Sequence, residues 1–155
     1  VEKETGKDIP VIAAGGIWHS TDIKKFLNLG ASGVQMATRF VATHECDASI
    51  EFKKAYVNAN EEDVKIINSP VGMPGRAICN SFIKKVEKEK CKIDKCYNCI
   101  KTCNIIDSPY CITKALINSV KGKTEDGLIF CGSNVSRIKE IVSVKDLMKE
   151  LVCEL

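Results

Sequence analysis

The stretch that decides the fold is Pro10-Val-Ile-Ala-Ala-Gly-Gly16, followed by a polar and then apolar segment to Leu29 and by Gly33-Val-Gln-Met-Ala-Thr-Arg-Phe40. Ile9 to Ala14 is a continuous apolar run with a proline near its start, which suits a parallel strand buried on both faces. Gly15-Gly16 ends it. Ser20 or Thr21 can cap a helix to Leu29, with Ile23, Phe26, Leu27 and Leu29 inward and Gly30 just beyond. Val34 to Met36 then reads as a second strand, so the stretch is a βαβ unit with a right-handed crossover. Gly15 and Gly16 at one strand end, and Ala37, Thr38 and Arg39 at the other, offer converging backbone N–H groups and a hydroxyl. Such a place suits an anion, and a cofactor phosphate above all.

Working outward, the 155 residues are 45% hydrophobic and 28% charged, as expected of a globular chain able to bury a core. The net charge of +3 is too mild to argue for nucleic acid, and the denser lysines from Lys84 to Lys101 read as a solvated face. With no secretory leader and no apolar run of about eighteen residues, the reading expects a cytoplasmic chain without membrane association. Residues 1–8 read as the end of a helix and a turn leading into the first strand, which points to a piece of a larger fold.

After Phe40, Thr43 can cap a helix to about Ala59, with Phe52, Ala55 and Tyr56 inward and Glu51, Lys53 and Lys54 facing water. Val64 to Ile67 is a short strand candidate. Ser69-Pro-Val-Gly-Met-Pro-Gly75 reads as an irregular loop, and Arg76 to Glu89 as a helix with Ile78, Phe82, Ile83 and Val86 on one face. Pro109 can open a helix to Val120, with Ile112, Leu116, Ile117 and Val120 inward. Leu128 to Cys131 reads as a strand, Gly132 to Asn134 as a turn, and Ser143 as the cap of a final helix to Leu151.

Nine cysteines are many for a reducing compartment, where clustered thiols point to metal or redox chemistry before disulfides. Cys96, Cys99, Cys103 and Cys111 form the cluster, and four thiolates suit zinc or an iron–sulfur cluster. Reduced cysteines without metal are the competing reading. Cys91 is an alternative ligand, while Cys46, Cys79, Cys131 and Cys153 read as ordinary small residues.

Pro10 to Ile17 and Gly33 to Phe40 together resemble the last two barrel strands of the nitronate monooxygenase (2-nitropropane dioxygenase) family, a pattern shared with the related flavin-dependent enoyl-acyl-carrier-protein reductases. The resemblance continues through Ser69 to Ile78, and the cysteine-rich half resembles C-terminal extensions of bacterial members. It implies an α/β fold, the C-terminal part of a (β/α)8 TIM barrel comprising its last two strands and helices. A small, mainly helical Cys-rich extension would follow. The expected division is 1–89 for the barrel segment and 90–155 for the extension.

The implied cofactor is FMN, with Gly15 and Gly16 on one side of its phosphate and Gln35, Met36, Ala37 and Thr38 on the other. The family pattern has glycine where Ala37 stands. The implied activity is oxidation of alkyl nitronates, with a small-molecule substrate. Enoyl thioester reduction, or a non-catalytic metal-binding or partner-docking module, are the alternatives. The family's catalytic histidine lies in earlier strands, so catalytic residues are not assigned here. The remaining barrel is expected from a separate chain or a homo-oligomer. His19 and His44 read as solvent or cap residues. Arg39 reads equally as phosphate counter-charge or as a salt-bridge anchor, and Arg76 as fixing its turn.

Overall fold

The computed structural model describes residues 4, 6–101 and 103–155; the expectation for residues 1–8 falls in part outside them. β1 (Ile12–Ala14) and β2 (Gly33–Gln35) pair in parallel, Ile12 against Gly33 and Ala14 against Gln35. α1 (Ser20–Asn28) crosses between them. Its N-cap is His19, and Asp22 turns back to accept the backbone N–H groups of Trp18 (2.8 Å) and His19 (3.0 Å). Gly30, at φ +95°, ends the helix turn in a conformation that side chains resist. Ile23 is buried and Phe26 partly so, whereas Leu27 and Leu29 are exposed.

The expected burial of the first strand is not found: Val11 is 61% and Ile12 53% exposed. A parallel strand is covered by a neighbour on each side and by helices, and among the described residues β1 has only β2.

The helix expected from Thr43 to about Ala59 begins only at Ile50, and a separate turn of helix precedes Thr43. α2 (Thr38–Val41) is one turn, and α3 (Ile50–Val57) is capped by Ser49, whose hydroxyl accepts the Phe52 N–H at 3.3 Å. Thr43 caps no helix. It is buried, its hydroxyl donating to the Phe40 carbonyl and accepting the Cys46 N–H. Lys53, expected in water, is also buried, its ammonium donating to the His44 carbonyl at 3.3 Å.

β3 (Val64–Asn68) and β4 (Pro74–Ile78) form an antiparallel hairpin in register from Val64–Ile78 to Asn68–Pro74. This corrects the expected loop through Gly75 and helix from Arg76. Pro74 opens the strand, where a missing N–H is tolerated. Gly75 is required because a Cβ there would stand 2.4 Å from Cε1 of Phe130. Phe130 bridges to Ala77, Ile78 donates to the Ile129 carbonyl and Cys131 to that of Arg76, so 129–131 adds a third extended segment. Only Ser81–Val86 is helical (α4). Asn80 caps it through the Ile83 N–H and holds the carbonyls of Thr124 and Gly127 with its amide nitrogen.

α5 (Ile112–Val120) starts after Cys111, not at Pro109, and its inward residues are Ala115 and Ser119. Leu116, Ile117 and Val120, expected inward, are 36–44% exposed. The chain at Gly127-Leu128 crosses the helix too closely for large side chains, since a Cβ on Gly127 would lie 2.6 Å from the Ser119 backbone nitrogen. α6 (Val144–Val152) has the expected cap, with Ser143 Oγ accepting the Asp146 N–H at 3.0 Å.

Three apolar clusters hold the chain together: one around Trp18, Tyr56, Ile78 and Ile129, a second around Ile67, Phe82, Ile83, Tyr110 and Leu128, a third of Ile17, Ile23, Leu147 and Leu151. Each draws residues from both sides of position 90. Residues 91–111 contain no helix or strand among the described residues, so the helices of the expected extension are α5 and α6.

Candidate functional site

Gly15 (φ +85°) and Gly16 (φ +72°) take the left-handed backbone after β1, a region where a side chain would be strained. After β2 the chain turns through Ala37 at φ −129°, which any L-residue adopts, so alanine serves where the family pattern has glycine. A third loop, Cys131 to Asn134, folds against these two. The Gly132 N–H donates to Thr38 Oγ1 at 2.8 Å, and Asn134 Nδ2 to the Gly16 carbonyl at 3.4 Å. A Cβ on Gly132 would sit 2.7 Å from Thr38 Oγ1, so only glycine permits this approach.

The three loops enclose a cavity of about 370 Å³. Gly15, Gly16, Gln35, Met36, Ala37 and Thr38, all expected at one site from the sequence, line it together, and Gly132, Ser133 and Asn134 complete its wall. Gly132 to Asn134, a turn by its sequence, is thereby part of the cavity wall. The signal was present: Leu128 to Cys131 is an apolar run ending in glycine, the same pattern as Val11 to Gly15.

Charge at the cavity is committed to structure. Arg39 donates to the Trp18 carbonyl at 2.8 Å and grips both carboxylate oxygens of Glu150, at 2.8 and 2.6 Å. Arg39 thus makes the anchoring salt bridge, and it also lines the cavity. The Arg39 contact, with a smaller contribution from His19, holds the Glu150 carboxyl below its ordinary range. Burial pushes the Cys131 thiol up to about 11, so it stays protonated, and raises Tyr56 also. Tyr56 donates to the Phe130 carbonyl.

His19 sits outside the cavity wall, its Nδ1 3.3 Å from Glu150 and its Nε2 2.8 Å from Arg137. His44 is a backbone participant, its N–H donating to the Val142 carbonyl. Arg76 lies in mid-β4 and fixes no turn.

Cys96, Cys99, Cys103 and Cys111 line a separate cavity of about 220 Å³. Among the described residues, no three His, Cys, Asp or Glu side chains already converge tightly enough to hold an ion. No described helix is long and apolar enough to cross a membrane.

Against known proteins, residues 3–154 match the family model described as nitronate monooxygenase. A probable nitronate monooxygenase of Bacillus subtilis is 29% identical over 150 residues, 94% of this chain and 40% of that protein. One from Staphylococcus saprophyticus is 41% identical over 81 residues, 52% of this chain and 23% of its own. Among solved structures, FabK from Thermotoga maritima matches with a TM-score of 0.72 at 28% identity, over 96% of this chain and 44% of that one. A nitroalkane oxidase from Streptomyces ansochromogenes, 22% identical with a TM-score of 0.68, covers 98% of this chain and 41% of its own, and shares the fold. The chain thus spans less than half the length of each, consistent with part of a barrel that needs eight strands and about 250 residues.

Proposed function

The chain belongs to the nitronate monooxygenase family, and from that premise we propose that its three-loop cavity grips the phosphate of FMN in an oxidoreductase acting on alkyl nitronates. The observation that carries the reading is the convergence of the loops after β1, after β2 and after Phe130 on one cavity. Gly15 and Gly16 present a backbone that can approach closely, Ala37 and Thr38 add an N–H and a hydroxyl, and Ser133 and Asn134 bring further polar groups from the third side. The flavin, once bound, supplies the electron transfer, while these residues fix its phosphate end. Nothing in this grip distinguishes a nitronate from an enoyl thioester, so the choice of reaction rests on family membership.

The test compares FMN with riboflavin, which differs only in lacking the phosphate, by equilibrium dialysis on the protein. Two or three charge-assisted hydrogen bonds are each worth about 1.5–3 kcal/mol, so riboflavin is expected to bind at least about a hundredfold more weakly. Gly16→Val, which forces a branched side chain into positive φ, is expected to erase that difference. Equal affinity for the two flavins in the unaltered protein would remove the reading.

A further inference from the structure

We propose that His19 is a positioning residue for the third wall of the cavity: neutral, with its proton on Nδ1, it holds Arg137 over Trp18, and it releases Arg137 when it takes up a second proton. The consequence for cofactor affinity rests on the flavin reading above; the contact itself does not.

The chemistry of the two partners fixes the tautomer. Arg137 donates to His19 Nε2 at 2.8 Å, and a guanidinium offers N–H donors and no acceptor, so that nitrogen carries no proton. The ring proton then sits on Nδ1, 3.3 Å from Glu150 Oε1, and the carboxylate accepts it. One neutral imidazole thus bridges the N-cap of α1 to α6 and to the helical turn Val135–Arg137. A second proton can go only to Nε2, where it would face the Arg137 N–H. That hydrogen bond is lost and two cations stand in its place. Histidine is the side chain that makes this change between about pH 5 and 8, and the His19 side chain, 48% exposed, is open to the water that delivers the proton.

The charges around the ring balance while His19 is neutral. Glu150 faces it from α6 and is gripped by Arg39 of α2. Asp22 of α1 lies within electrostatic reach of both His19 and Arg137. Elsewhere on α6 and just beyond it, Lys149 pairs with Asp146 and Cys153 faces Ser20 at 3.5 Å. Two carboxylates thus meet two guanidiniums, and a proton on His19 leaves one positive charge in excess.

The route from His19 to the cavity is short. Arg137 lies 4.8 Å from the centroid of the Trp18 ring, and Trp18 lines the cavity. The Arg137 N–H donates to the Asn134 carbonyl at 3.1 Å, and Asn134 reaches the Gly16 carbonyl through Nδ2. Val135 is fully buried and Gly132 is fixed on Thr38, so the wall stays folded without the His19 contact. What the proton removes is a restraint on Asn134 and on the Trp18 face. The effect is therefore graded: flavin-phosphate affinity about three- to tenfold lower with His19 charged, the worth of one hydrogen bond.

The experiment uses the whole chain, labelled with ¹⁵N. In the unliganded protein near pH 8, long-range imidazole correlations are expected to show His19 as the Nδ1–H tautomer. The amide signals of Ser133 and Asn134 are expected to follow its protonation across the range in which histidine ionises, about pH 5 to 8. FMN affinity is then measured over the same range. A phosphate monoester itself titrates at about pH 6, so the unaltered protein is read against His19→Gln, whose amide offers an acceptor and a donor but takes no proton. The ratio of the two affinities should move about three- to tenfold. His44→Ala, at the chain's other histidine, should keep the titration, and circular dichroism checks that each variant is folded. An Nε2–H tautomer near pH 8, wall amides that ignore His19, or an affinity ratio constant with pH each overturns the proposal. If FMN binds at no pH, the flavin reading falls, and the tautomer and the two amides still decide this one.

Discussion

Deleting the same atom from two buried tyrosines is expected to change stability with opposite signs. Tyr56 is 4% and Tyr110 2% exposed, and each ring packs on a phenylalanine: Phe52 with centroids 5.4 Å apart, Phe82 in an edge contact at 5.1 Å. Tyr56 donates its hydroxyl to the Phe130 carbonyl, whereas the Tyr110 hydroxyl has no hydrogen-bond partner among the described residues. Burial alone pushes Tyr110 up to about 12, so it is a neutral phenol at pH 7. An unsatisfied buried hydroxyl costs about 1–3 kcal/mol, while a satisfied one contributes about 1 kcal/mol and leaves a stranded carbonyl when removed. Tyr110→Phe should therefore stabilise by about 1 kcal/mol, and Tyr56→Phe should destabilise by about 1–2 kcal/mol. In melting temperature each kcal/mol is about 2–4 °C for a domain of this size. Urea unfolding followed by far-ultraviolet circular dichroism at pH 7, with the m-value unchanged, measures both. If Tyr110→Phe loses as much stability as Tyr56→Phe, the account of the two hydroxyls is refuted.

Gly127→Ala places a Cβ 2.6 Å from Ser119 backbone and side-chain atoms and should cost about 1–3 kcal/mol by overpacking; an unchanged urea midpoint would contradict the close crossing at α5. Asp22→Asn should also destabilise, and its pH dependence is fixed in sign. The N–H groups of His19 and Trp18 hold the Asp22 carboxyl below its ordinary value of 3.8. Its contribution is therefore present above that value and lost as pH falls through the folded-state value. The stability gap between the two proteins should be widest near neutrality and close in acid. A gap that widens on acidification would exclude this capping role.

What the sequence disclosed, it disclosed through local chemistry. The βαβ unit was readable because Gly15, Gly16 and Gly30 punctuate an apolar pattern of short range, and the Ser143 cap because Asp146 lies three residues on. The β4 strand was hidden for the converse reason. Pro74 and Gly75 are turn residues by propensity, and Ile78, Phe82, Ile83 and Val86 imitate a helical face although Ile78 belongs to the strand. What overrides propensity there is Phe130, remote in sequence, which needs the space a side chain at 75 would fill. The site divides along the same line. Two of its loops were legible from the strand ends that carry them, and the third was not, because its contacts to Thr38 and Gly16 are purely tertiary. Lys53 inside the fold and Leu116 outside it show the same limit: periodicity says which residues share a face, not what that face meets.

Trp18 is the chain's single tryptophan. It lines the three-loop cavity and has two guanidinium groups over its ring, Arg39 at 4.9 Å and Arg137 at 4.8 Å from the centroid. The protein therefore carries its own fluorescent gauge. A flavin in the cavity would absorb the indole's emission by energy transfer. Undocking of α6 would free Arg39 from Glu150 and alter the field across the same ring. Quenching and spectral shift would then report occupancy and helix docking separately, with no label added.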